Sequence, residues 1–196
     1  MIMKKLFFIL VAFLASSFAL AQDYPFSVVK SGTGKQAIVF IPGFACSGDV
    51  WKESVEVLKE DYTCYVLTMA GFSGVAPEKN PSFESWKMQI VRFIKEKNIE
   101  KPILAVAADF PYLAVKIVVV DALPCLMALT NPEFKSVPAK DCSEMINRIT
   151  AMNEEQFAQM QRMSAASLTT DSSKFDEIVS WGLKSDRETF GYKRTI

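Results

Sequence analysis

Four short runs of apolar, largely β-branched residues constrain this chain more than any other feature. They are QAIVFI (Gln36–Ile41), YTCYVLTM (Tyr62–Met69), PILAV (Pro102–Val106) and KIVVVD (Lys116–Asp121). A strand with one wet face alternates apolar and polar residues; these runs barely alternate, so each is expected to be covered on both faces. The intervening stretches carry helical spacing. Ser47 or Asp49 can cap a helix through Glu60, with Trp51, Val55, Val57 and Leu58 on or near one face. Ser82 can cap another through Lys97, placing Trp86, Ile90, Phe93 and Ile94 on one stripe. Strands alternating with helices predict an α/β layered fold, a parallel sheet flanked by helices.

Half of the 196 residues are hydrophobic, which argues for a globular chain. Basic and acidic residues balance at 22 each, so the charge gives no reason to expect a nucleic-acid partner. The N-terminus has the layout of an export signal: Lys4 and Lys5, an apolar stretch from Leu6 to Leu20, and a small-x-small site at Ala19-Leu20-Ala21. Residues 1–21 are therefore expected to be removed, leaving a periplasmic or secreted chain from Gln22 with no stable membrane span. Residues 22–124 hold all four strand candidates. After Pro124 the composition turns Met-rich and amphipathic, with helices expected over about Ala139–Ile149, Glu154–Ser167 and Ser172–Lys184. Met145, Met152, Met160 and Met163 either line an adaptable apolar groove or pack those helices together.

The four cysteines are Cys46, Cys64, Cys125 and Cys142. Cys125 with Cys142 is the plausible disulfide of an exported chain; otherwise Cys64 is a buried strand thiol and the others are free. No cysteine or histidine spacing suits a metal, and no cofactor is expected. The chain contains no His at all, which removes the commonest proton shuttle of hydrolytic enzymes.

IVFIPGFACSGDVW (Ile38–Trp51) followed by YVLTMAGFSGVAP (Tyr65–Pro77) resembles the α/β-hydrolase superfamily. KPILAV then resembles the strand that enters the nucleophile elbow, and KIVVVDALP the strand after the elbow helix. The Met-rich C-terminal region resembles the helical cap placed over many such active sites. The resemblance spans Gln36 to about Phe190. It implies a partial α/β-hydrolase-like sheet over residues 22–124, with a truncated helical cap over 125–196. It also implies an oxyanion-hole-like loop at Gly43, Phe44 and Ala45, where backbone N–H groups at the C-terminal sheet edge could stabilise a developing negative charge. A plain strand-to-helix turn is the alternative reading of that loop. Asp121 stands where some members of the superfamily place the triad acid, though the usual position follows a later strand, and ending its strand and capping the next turn is the favoured reading.

What the resemblance requires next is missing. A Gly-x-Ser-x-Gly turn should follow Val106, yet Val106 runs straight into Ala107-Ala108-Asp109-Phe110-Pro111. Only nine residues, 107–115, separate the third and fourth runs. A crossover between neighbouring parallel strands takes roughly 10–12 residues or more with its helix. The fourth strand is thus expected to be reached by a strained link or displaced from its family position. Gly71-Phe72-Ser73-Gly74 is a near-miss to the elbow motif, and turn composition accounts for it. Ser47 reads as a helix cap and Cys46 as a small loop thiol.

The expectation is an exported chain with serine-hydrolase ancestry and no catalytic residues of its own. Its partner would be a small acyl or apolar compound. The competing readings are a periplasmic binding or interaction protein on the same scaffold, and a non-functional gene fragment that ends just past its cap, at DRETFGYKRTI.

Overall fold

A computed structural model describes residues 24–106, 116–119 and 143–193. Five strands form one mixed sheet in the order β1-β3-β2-β4-β5. They are β1 (Phe26–Ser31), β2 (Gln36–Ile41), β3 (Tyr62–Met69), β4 (Ile103–Val106) and β5 (Lys116–Val119). The last four coincide with the four apolar runs, and β2–β3, β2–β4 and β4–β5 pair in parallel. The first strand, FSVVKS, is additional. It runs antiparallel to β3, with Phe26 opposite Met69 and Ser31 opposite Cys64, and forms one edge of the sheet. Its half-polar composition suits an edge position and gives little signal in sequence.

The helices cover the sheet as period-two geometry demands. Along β2, Val39 and Ile41 join Leu67, Met69 and Leu104 on one face. Ile38 and Phe40 join Cys64 and Ala105 on the other. A short 3₁₀ turn (Gly48–Trp51) leads into α1 (Lys52–Leu58), which buries Val55 on the Ile38–Phe40 face. The expected membership of Val57 in that stripe is wrong: it is 75% exposed. Two residues beyond Val55 is about 200° around a helix of 3.6 residues per turn, which turns Val57 to solvent.

The opposite face is covered by α2 (Phe83–Glu96). Ser82 Oγ accepts the Ser85 N–H at 2.9 Å, and Trp86, Ile90, Phe93 and Ile94 are all buried as their spacing predicts. Phe93 lies edge-on to Phe26, Tyr24 and Tyr65 at 5.3–5.8 Å. Each fully buried ring of this kind contributes roughly 1.5–3 kcal/mol by leaving water.

Despite the short link, β5 is hydrogen-bonded beside β4, with Ile103 opposite Lys116 and Val106 opposite Val119. Asp121, Cys125, Cys142 and the link 107–115 lie outside the described residues. So do residues 1–23, which include the stretch 1–21 read as a leader, and the start of the helix expected from Ala139.

Among the described residues four helices follow: α3 (Ser143–Thr150), α4 (Glu154–Leu168), α5 (Ser172–Leu183) and α6 (Arg187–Lys193). They pack chiefly on one another, α3 against α6 and α4 against α5. Their core is Ile149, Phe157 and Phe190, with Met145, Met152 and Met160 packed around it. Three of the four cap methionines therefore serve helix packing, and Met163 is 70% exposed. The closing helix α6 was not legible in sequence, because Gly191 sits within it. The structure supplies the reason for that glycine: a Cβ there would stand 2.8 Å from Ile146 Cα, so α6 can approach α3 only without one. Among the described residues no helix is long and apolar enough to cross a membrane.

Candidate functional site

The C-terminal edge of the sheet is where open α/β folds place ligands. Here β2 ends at Ile41, and Pro42-Gly43 turns the chain out of the sheet. Gly43 C=O accepts the Cys46 N–H at 3.2 Å, closing a tight turn. Ala45, inside that turn, holds φ at +56°. Among the described residues, the N–H groups of Phe44 and Ala45 have no hydrogen-bond acceptor. The loop then anchors itself: buried Ser47 accepts the Asp49 N–H at 3.1 Å and donates to Asp49 Oδ2 at 3.0 Å, while Gly48 N–H reaches Thr68 Oγ1 at 2.8 Å. Ser47 is thus a cap, as its sequence position suggested, and both its polar roles are occupied.

Register places this loop beside the end of β4. Ile41 is the cross-strand partner of Val106, the residue after which an elbow motif is absent. The Phe44–Ala45 turn and the end of β4 therefore belong to one corner of the sheet.

Aromatic rings line that corner. Phe44 stands 5.3 Å from Phe72 and 4.6 Å from Phe190, both edge-on. Phe72 is 1% exposed and rests on Trp86 at 5.4 Å. Phe190, from α6, is equally buried and also meets Phe157. Ala45 touches both the main core and the core of the C-terminal helices. Phe44 itself keeps 42% of its surface exposed.

The second loop at this corner is Gly71-Phe72-Ser73-Gly74, and all but Phe72 take left-handed φ values of +47° to +85°. Ser73 resembles an elbow serine in composition and backbone twist, but its surroundings are those of a structural turn. Its N–H is held by Ser185 Oγ at 3.2 Å, and no His exists to activate its hydroxyl. Cys46 is no better placed for nucleophilic chemistry, since burial pushes its thiol up to about 11. Cys64 is fully buried in β3, free, and likewise raised by burial.

Of the residues singled out from sequence, Gly43, Phe44 and Ala45 are contiguous at the sheet edge, and Asp121 is outside the described residues. Sequence reasoning did not anticipate Phe72 and Phe190, which complete the apolar wall. They stand more than a hundred residues apart in sequence, and only the fold brings them together. Among the described residues no group of three or more His, Cys, Asp or Glu side chains gathers to hold a metal. A cleft of about 490 Å³ lies elsewhere, along α4 at Gln156, Gln159, Met160, Met163, Ser164 and Ser167. It shares no residue with the Phe44 corner, and its wall is divided between amide and hydroxyl groups and the side chains of Met160 and Met163.

No protein-family model matches the sequence, and no curated protein matches it. Solved structures do match in three dimensions. An esterase from Exiguobacterium antarcticum superposes with a TM-score of 0.66 at 9% identity, covering 87% of this chain and 68% of its own. A marine microorganism esterase gives 0.58 at 15% identity, covering 87% and 72%. The Cif epoxide hydrolase from Acinetobacter nosocomialis gives 0.61 at 19% identity, covering 87% of this chain and 61% of its own. The mixed sheet covered on both faces, the loop at the end of β2 and these superpositions lead to one assignment: this chain has the α/β-hydrolase fold, in partial form.

Proposed function

We propose that this chain is an exported relative of serine acyl hydrolases that retains a carbonyl-binding corner and does not turn its ligand over. The observation that carries the reading is the pairing of Ile41 with Val106. It sets two N–H groups, of Phe44 and Ala45, beside a strand end that no Gly-x-Ser-x-Gly follows, in a sequence without His. Two such donors at a sheet edge suit a carbonyl or carboxylate oxygen. The rings of Phe44, Phe72 and Phe190 suit the apolar part of a small acyl compound. Hydrolysis additionally needs a nucleophile and a base, and losing either from a triad costs on the order of 10⁶ in kcat. The esterase names of the structural neighbours support the acyl class of ligand. Export rests on the basic, apolar and small-residue layout of residues 1–21.

The test is made on the purified chain with a fluorophosphonate probe, a nitrophenyl acyl ester series and a titration with the matching carboxylates. The reading expects no covalent label, no turnover above buffer, and saturable carboxylate binding that weakens in Phe44→Ala. Serine-dependent labelling or turnover would refute the inactive assignment, and absence of saturable binding would refute the retained corner.

A further inference from the structure

The C-terminal helices hold the sheet mainly through loops, and the principal attachment is compact. Asp186 N–H donates to Gly71 C=O at 2.7 Å, Gly74 N–H donates to Lys184 C=O at 3.1 Å, and Ser73 N–H donates to Ser185 Oγ at 3.2 Å. Ser185 is itself fixed by donating to Trp181 C=O at 2.9 Å. Beneath these bonds Thr189 sits against Gly71 so closely that a Cβ on Gly71 would lie 2.5–2.7 Å from three Thr189 atoms. Thr189 is 1% exposed, and its Oγ1 has no hydrogen-bond partner. A buried hydroxyl left unpaired destabilises this seat relative to an apolar one. The next residue, Phe190, is the one that lies on Phe44.

We propose that Lys184–Asp186 and Thr189 form a latch on the Gly71–Gly74 turn, and that this latch holds Phe190 as a lid over the Phe44–Ala45 corner. Two separate apolar cores lie on either side of it, with Ala45 touching both, so the helices can swing as a unit without dismantling the sheet. Opening requires these three hydrogen bonds to part together, along with the exposed Lys174–Glu53 ion pair that joins α5 to α1 at 3.1 Å, and closing restores the left-handed turn and the Phe44–Phe190 contact. The role of the corner as a ligand site rests on the function proposed above; the latch itself does not.

The turn supplies its own control. Gly71 and Gly74 both have left-handed φ, +76° and +85°, so an alanine at either strains the backbone. Only Gly71→Ala collides with Thr189, because a Cβ on Gly74 meets nothing within 4 Å. Lys184 and Arg187 place trypsin sites in and beside the latch. The experiment is native-state trypsin digestion of the full chain, read by mass spectrometry at those two sites, with binding of an apolar dye followed in parallel. Gly71→Ala is expected to be cut there on the order of tenfold faster than Gly74→Ala and to bind more dye. Thr189→Gly added to Gly71→Ala is expected to slow the cutting again. Equal cutting of the two alanine variants would overturn the latch. Should Gly71→Ala show no cooperative melt, Ser185→Ala, which removes one clamp bond, takes its place; cutting no faster than in the parent chain would overturn the proposal. Because no readout involves an acyl compound, a failed latch leaves the proposed function standing, and failed carboxylate binding leaves the latch standing.

Discussion

Phe44 and Phe190 meet edge-on with ring centroids 4.6 Å apart, joining the loop after β2 to α6. This contact ties the C-terminal edge of the sheet to the C-terminal helices. An edge-to-face pair contributes about 0.5–1.5 kcal/mol beyond the area it buries. A double-mutant cycle of Phe44→Ala and Phe190→Ala, followed by urea unfolding, is expected to give a coupling energy in that range. Phe190→Ala alone is expected to cost about 3–5 kcal/mol, because its site is a filled core that cannot collapse fully. Additive losses would mean that the two rings are neighbours without being partners.

The α4 helix begins with a reciprocal cap. Asn153 Oδ1 accepts the Gln156 N–H at 2.9 Å, and Gln156 Oε1 accepts the Asn153 N–H at 3.0 Å. Asn153→Ala removes one of these bonds and is expected to destabilise the chain by about 1 kcal/mol. The drop should appear in the melting temperature, with the β-sheet signal of the folded state unchanged.

Cys46 offers a pH-dependent readout. Burial raises its thiol to about 11, above the ordinary value of a free cysteine, so the folded state favours the neutral form. The sign follows directly: the stabilisation is full below the unfolded value and is lost as pH rises through the folded one. Alkylation follows the thiolate fraction, so at pH 8 Cys46 should react about two orders of magnitude more slowly than an exposed cysteine. Peptide-resolved iodoacetamide labelling between pH 7 and 11 measures this. A labelling rate that levels off near pH 9 would show that burial does not govern the thiol.

Lys101 holds φ at +46° immediately before Pro102, a conformation that is unfavourable for a side-chain-bearing residue and for a residue preceding proline. It is exposed, and its C=O accepts from Gln36 Nε2 at 2.8 Å, a bond a glycine keeps. Lys101→Gly is expected to leave stability unchanged or raise it by up to about 1 kcal/mol, where glycine substitutions in ordinary backbone lower it. Chemical denaturation gives the sign, and a clear loss would contradict the assigned backbone geometry.

The four parallel strands, both caps at Ser47 and Ser82, and the buried stripe of α2 were legible in sequence. Each depends on local pattern: β-branched runs, a hydroxyl before a helix, and apolar residues three or four apart. So was the turn at Gly43–Ala45, because Pro42-Gly43 ends the strand in residue order. Strand β1 escaped because an edge strand needs little apolar surface, and Val57 was misplaced because a seven-residue helix leaves two faces equally plausible.

The sequence alone determined which segments must be buried and that no His is present. Tertiary structure alone decided that Ile41 stands beside Val106, that Phe190 closes on Phe44, and that Gly71 must lack a Cβ to receive Thr189. Periodicity constrains each element against water. It carries no information about which distant residues share a corner, since that depends on strand order and on how closely two backbones approach.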